Sequence, residues 1–282
     1  MSGSRTLTGF ILFDSAIVPL DRIVSIIDDG YPGHCLYADW GEEAKSVSPW
    51  LLAPSSRVAE LVRDLREGGQ HAHGVSRLAT SASADAIVLH LRRLQTMFAD
   101  RKRYYLRYAD ARAFSDLWSV LDPAQRRALL GPIAAWEASA AGESSRYIDP
   151  DDGRTLAQSV TLPLRLSSRQ FGELLRAQRD TQRWSIWLKT QPQLCEGYSP
   201  AELRKLSRLT GEWLRAQGAL PERVVQAVGV AVLRSGGEVL GHPEFADKAR
   251  HGAVGDPVPR KHPRPCPPDT HCDKQWTEVK EP

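Results

Sequence analysis

The chain has 282 residues, 41% hydrophobic and 25% charged, a balance that excludes wholesale disorder and a fibrous or collagen-like polymer. Its net charge of +3, from 37 basic against 34 acidic side chains, is too small to argue for a phosphate-backbone partner, so no nucleic acid is expected. No apolar run reaches the roughly 18–20 residues that a membrane helix requires.

The segment from Met1 to Thr8 lacks the basic-then-apolar design of a secretory signal. Four widely spaced cysteines suggest no disulfide framework in a chain long enough to build a proper core. A reducing, cytoplasmic setting without a membrane span is expected.

Phe10 to Phe13, followed by Ile17, predicts a strand, and Ile23, Ile26 and Ile27 at helical spacing predict a helix that Gly30 stops. His34-Cys-Leu-Tyr37 and Pro49 to Leu52 read as short strands, and Val58, Leu61, Val62 and Leu65 mark a helix ended by Gly68-Gly69. Ala72 to Thr80 is strand-like. Ser83 caps a helix whose apolar positions Ile87, Leu91, Leu94 and Phe98 share a side.

Arg103 to Tyr108 alternates as a strand, and Arg112 to Leu121 is a helix. Asp122-Pro-Ala-Gln125 opens another with a capping box and a first-turn proline, and Gly131-Pro132 closes it. The character changes after Trp136. Arg146 to Ile148 and Ser159 to Leu166 then read as a hairpin around Asp149-Pro-Asp-Asp-Gly153. Three helices follow, over about Ser168 to Thr190, from the capping box Ser199-Pro-Ala-Glu202, and over Pro221 to Arg234.

The expected fold class is an α/β (mixed α+β) N-terminal lobe over residues 1–140 and a mainly α-helical C-terminal lobe over 141–252. A Pro-rich flexible tail follows over 253–282. The tail's seven prolines and few large apolar residues cannot bury enough surface to offset its ordering entropy.

Chemistry-bearing motifs are sparse. There is no Gly-x-Ser-x-Gly elbow, phosphate-binding Gly-Lys loop, dinucleotide glycine fingerprint or metalloprotease His-Glu pair. His71-Ala-His73 could set two imidazoles on one strand face, but reads better as a polar strand edge. Cys266 and Cys272 with His262 and His271 fit no standard zinc spacing, and Asp149, Asp151 and Asp152 fit a turn better than a cation site. An enzyme with an unrecognised hydrolase or metal site, near Asp149 to Asp152 or at His71 and His73, is an alternative reading.

On a helical wheel, Trp187 falls opposite Phe171, Leu174 and Leu175, in company with Arg176, Asp180 and Arg183, and Trp184 lies beside it. Two readings follow: another helix covers both indoles, or Trp184, Trp187, Arg183 and Trp213 form a protein-binding patch of the residue types that dominate interfaces. Tyr105, Arg107, Tyr108, Asp110 and Arg112 form a second cluster, either a shared surface or a device that fixes the first lobe's core.

Several segments carry a family resemblance: Ile11-Leu-Phe-Asp14, His34-Cys-Leu-Tyr37, Ser48-Pro-Trp-Leu-Leu52 and Leu89-His-Leu-Arg-Arg-Leu94. The most specific is Tyr105-Leu-Arg-Tyr-Ala-Asp-Ala-Arg112, continued by Leu121-Asp-Pro-Ala-Gln125 and Leu130-Gly-Pro-Ile133. Their order resembles the domain-of-unknown-function proteins that serve as chaperones or adaptors for type VI secretion effectors. Ala111 departs from the family's usual proline.

The resemblance implies an α/β lobe followed by a variable helical lobe, no catalytic residues and no cofactor. Its implied partners are a cognate type VI effector and a VgrG-type spike protein. It implies a cytoplasmic carrier that is not itself secreted.

Overall fold

Four apolar residues in succession, Phe10 to Phe13, suit a strand covered on both faces better than a half-exposed one. The computed structural model, which describes residues 7–67, 71–140, 143–148 and 161–254, places them so. Strand β1 (Thr8–Asp14) sends Ile11 and Phe13 into one core cluster and Phe10 and Leu12 into another. By internal contacts the chain divides into a first unit ending at Gln182 and a second beginning at Arg183.

In the first unit the elements up to the central strand are β1, α1 (Leu20–Asp28), β2 (Gly33–Cys35), α2 (Glu42–Lys45), β3 (Pro49–Leu52), α3 (Ser56–Glu67) and β4 (Val75–Thr80). Beyond it come α4 (Ala84–Arg93), β5 (Thr96–Ala99), β6 (Lys102–Tyr105), α5 (Ala111–Val120), α6 (Pro123–Leu130), β7 (Ile133–Ala140), β8 (Glu143–Ile148) and β9 (Leu164–Leu166). A six-stranded antiparallel sheet has the order β2-β3-β1-β4-β7-β8, and a three-stranded sheet has the order β6-β5-β9.

Helices α1 and α3 bury Ile23, Ile26, Val58, Leu61, Val62 and Leu65 in the cluster that holds Ile11 and Phe13. The spacing of the α3 residues is the i, i+3, i+4, i+7 stripe of a helix lying on a sheet. The other cluster takes Ile87 and Leu91 from α4, Phe114 and Leu117 from α5, and Trp136 from β7. The Asp122 side chain accepts the Gln125 backbone N–H at 2.8 Å while Gln125 Oε1 accepts the Asp122 N–H at 3.0 Å, so the capping box opens α6 as the sequence predicts.

Three expectations are corrected here. Phe98 lies in β5 and not in α4, because the chain turns after Leu94. Asp100 and Arg101, both at positive φ (48° and 63°), form the two-residue turn into β6, the backbone that a tight hairpin demands. The strand read over Arg103 to Tyr108 ends at Tyr105. Among the described residues, Arg146–Ile148 does not pair with the predicted hairpin partner: β8 pairs with β7, and β9 runs parallel to β5.

By internal contacts the first unit extends past residue 140 to Gln182. The reason is packing: β7, β8 and β9 join the first unit's sheets, and Leu174 enters its core.

The second unit is helical. Helix α7 (Ser168–Thr190) carries the boundary, and α8 (Pro192–Cys195), α9 (Pro200–Gln217), α10 (Glu222–Ser235) and α11 (Pro243–Arg250) follow. The predicted box at Ser199 and Glu202 caps α9. Leu203 and Leu206 of α9 are buried, as are Val224, Val228 and Val232 of α10. Tyr198 Oη donates to the Leu233 carbonyl at 2.6 Å. Among the described residues no helix is long and apolar enough to cross a membrane. The Asp149–Gly153 turn and nearly all of the tail lie outside the described residues.

Candidate functional site

A charge closes the apolar run of β1: Asp14, buried at the strand's end. Its Oδ1 accepts the Ala16 N–H at 3.0 Å, and its Oδ2 accepts from Arg107 at 3.1 Å. Burial pushes the Asp14 carboxyl above the usual carboxylate range, and the Arg107 guanidinium opposes that rise.

Asp110 behaves oppositely. Burial alone would raise it, but the hydrogen bonds and charge of Arg112, with Arg107 and His73 beyond, hold it below its ordinary value. Arg112 grips it through Nε at 3.1 Å and through NH2 at 2.9 Å, and Asp110 Oδ1 also caps α5 by accepting the Arg112 N–H at 3.0 Å. Arg107 bridges the two carboxylates, 3.7 Å from Asp110.

Above this pair opens a depression of about 330 Å³, lined by Asp14, Arg107, Tyr37, Tyr105, Val47 and Pro49 among others. Aromatic rings build its rim. Tyr37 stacks on Trp40 at 5.2 Å between centroids, and Tyr105 meets Trp40 edge-on at 4.9 Å and Tyr37 at 5.9 Å. Trp40 and Tyr105 remain 46% and 50% exposed, beside exposed Val47. Mostly apolar walls, wet aromatic edges and a half-exposed guanidinium suit the anchoring of one large side chain and its backbone.

Of the residues expected from the sequence, Tyr105 and Arg107 meet at this depression. Arg112 lies beneath it and positions Asp110. Tyr108 is fully buried, edge-on to Trp136 at 6.3 Å, so it belongs to the core and offers no contact surface.

Trp184 and Trp187 are 5% and 6% exposed within the helical unit, as the first of the two readings has it, with both indoles covered. Trp187 packs so closely on α10 that a Cβ at Gly229 would sit 2.6 Å from its Nε1. Arg183 donates to the Ser207 carbonyl at 2.8 Å. Trp213 is half-buried against Phe245, 5.3 Å away.

Sequence reasoning missed Asp14, Tyr37 and Trp40 as site residues. The available signal was the carboxylate ending an otherwise apolar strand. His71 and His73 do not lie on a strand, since β4 begins at Val75, and no group of three or more potential metal ligands occurs among the described residues. Cys266, Cys272, His262 and His271 lie outside the described residues, as do Asp149, Asp151 and Asp152.

Burial, with the charge of Arg112, pushes His73 down to about 4 from 6.5. The fold therefore favours neutral His73, and the unfolded chain takes up the proton first as the pH falls. The His73 contribution is fully present above 6.5 and is lost down to about 4. The His90 ring is shifted down as well, by burial, and adds loss of the same sign. Raised Asp14 acts in the opposite sense. In urea titrations across this range, His73→Gln is therefore expected to flatten part of the acid-side fall in midpoint; an unchanged slope would refute the assignment.

No curated protein and no solved structure matches the chain. Residues 10–128, which supply the whole depression and its supporting ion pairs, match the family model described as Domain of unknown function (DUF4123).

Proposed function

We propose that the chain is a cytoplasmic chaperone or adaptor that holds a type VI secretion effector, keeps it soluble and loads it onto a VgrG-type spike. On this reading it turns over no substrate. The observation that carries the proposal is the coincidence of the family match, residues 10–128, with an aromatic-rimmed, open depression built wholly inside that stretch. Such a surface covers apolar segments of a client that would otherwise aggregate, and releases them when a competing interface binds the client better.

The test is genetic and biochemical. Deleting the gene is expected to lower the steady level of the toxin produced alongside it several-fold, since a destabilisation of about 1–2 kcal/mol suffices for that, and to abolish killing of competitor cells. Reintroducing the Trp40→Ala, Tyr105→Ala variant is expected to restore neither, as paired aromatic anchors are each worth about 2 kcal/mol. Normal toxin level and normal killing in the deletion strain would end the proposal.

A further inference from the structure

Among the described residues, strand β6 lies at the edge of its sheet and pairs with β5 alone. The Leu106 N–H donates to the Gln95 carbonyl at 3.0 Å, which continues the β5–β6 register and fixes its phase. Met97 faces Tyr104 and Ala99 faces Lys102, so residues 102, 104 and 106 bond β5, and the backbone N–H and C=O of Arg103 and Tyr105 point to the open edge. Among the described residues nothing bonds to them there.

Side chains follow the same alternation. Tyr104 and Leu106 turn toward the core, while Arg103, Tyr105 and Arg107 are exposed, and Tyr105 and Arg107 line the depression.

From this geometry we infer that the outer edge of β6 accepts an extended segment of another polypeptide as an added antiparallel or parallel strand. Its same-face residues would read acid, large apolar, acid. The apolar side chain enters the depression beside Tyr105, and the flanking carboxylates meet Arg103 and Arg107.

Charge selects this occupant. Arg101, Lys102 and Arg103 are exposed, and no carboxylate among the described residues pairs with any of them. A second copy would bring the same cations edge to edge, so self-pairing is disfavoured, whereas an acid-bearing strand is welcome. The alternating donors and acceptors of the edge match a polypeptide backbone and not a nucleic acid. The inference rests on the chaperone reading for the partner's nature and says which part of the partner is held.

The test uses the purified full chain and a fluorescent synthetic peptide, Thr-Glu-Thr-Phe-Thr-Glu-Thr, by anisotropy. Two further versions are N-methylated on alternate residues, and a labelled oligothymidylate is the competitor class. Binding is expected for the parent peptide, lost in one methylated version and kept in the other, and accompanied by slowed amide exchange at Arg103 and Tyr105.

Arg103→Pro removes the guanidinium together with an outward N–H, whose loss an edge strand tolerates, and is expected to weaken binding about tenfold or more. Arg103→Ala, which keeps the backbone, is expected to weaken it less and to reduce the salt dependence. No binding, equal loss or equal retention in both methylated versions, or preference for the oligothymidylate overturns the inference. Because no toxin enters this assay, its failure leaves the deletion experiment standing. A normal deletion strain with intact peptide binding would instead remove the toxin and keep the strand acceptor.

Discussion

Replacing Trp136 with alanine is expected to cost the first unit about 3–5 kcal/mol, the range for emptying a core site of an aromatic ring. The indole is 0% exposed, stacks on Phe114 at 4.3 Å between centroids, and lies in register between Leu78 on β4 and Tyr147 on β8. Phe114 in turn meets Tyr147 at 5.0 Å and Trp118 at 6.2 Å, so the void cannot be refilled without moving α5. Against a total stability of about 5–15 kcal/mol, the loss is expected to lower the melting temperature by roughly 6–20 °C or to leave the protein insoluble. Trp136→Phe keeps a ring and is expected to lose less than half as much. A melting curve for Trp136→Ala within a degree or two of the parent would show that the strand does not anchor the sheet.

The second large effect separates a core role from a binding role for Trp187. Trp187→Ala is expected to destabilise the helical unit by about 3–5 kcal/mol, measured by urea unfolding without any partner present. Gly229→Ala approaches the same contact from the other side. In a helix interior alanine should gain about 1 kcal/mol over glycine, but here the new Cβ would meet the indole Nε1 at 2.6 Å. Overpacking of that kind costs about 1–3 kcal/mol, so a net loss is expected.

Trp187→Phe lacks the clashing nitrogen, so the double variant with Gly229→Ala is expected to be more stable than the sum of the single effects allows. Strict additivity would mean that the two side chains do not touch, and an unchanged stability for Trp187→Ala would restore the patch reading.

These two tryptophans also show where local pattern runs out. Helix α7 was legible from its apolar spacing, and both capping boxes announced their helices because a side chain three residues from its partner carries the whole signal. The wheel could say that α7 has two distinguished faces. It could not say which one a neighbouring helix covers, because Gly229, the residue that admits Trp187, is about forty positions away.

Strand β7 escaped for a related reason. Ile133-Ala-Ala-Trp-Glu-Ala-Ser-Ala140 is rich in alanine, a weak strand former, and becomes a strand because β4 and β8 bracket it and Trp136 finds Phe114. The β5–β6 hairpin was hidden because its turn is Asp100-Arg101 and not the Asn-Gly that announces such turns. The depression itself gathers Asp14, Tyr37, Val47 and Arg107 from four separate stretches, and of its lining only Tyr105 and Arg107 were singled out from the sequence as contact residues.

The sheet order carries a consequence for synthesis. Strand β4 sits between β1 and β7, so one of its edges is satisfied early and the other waits until the ribosome has passed Ala140. The segment 10–128 that matches the family model stops before that partner is made. A nascent chain paused there would display a bare strand edge to its surroundings. The chain thus passes through a vulnerable interval of its own, and translation through the β7 and β8 codons is what ends it.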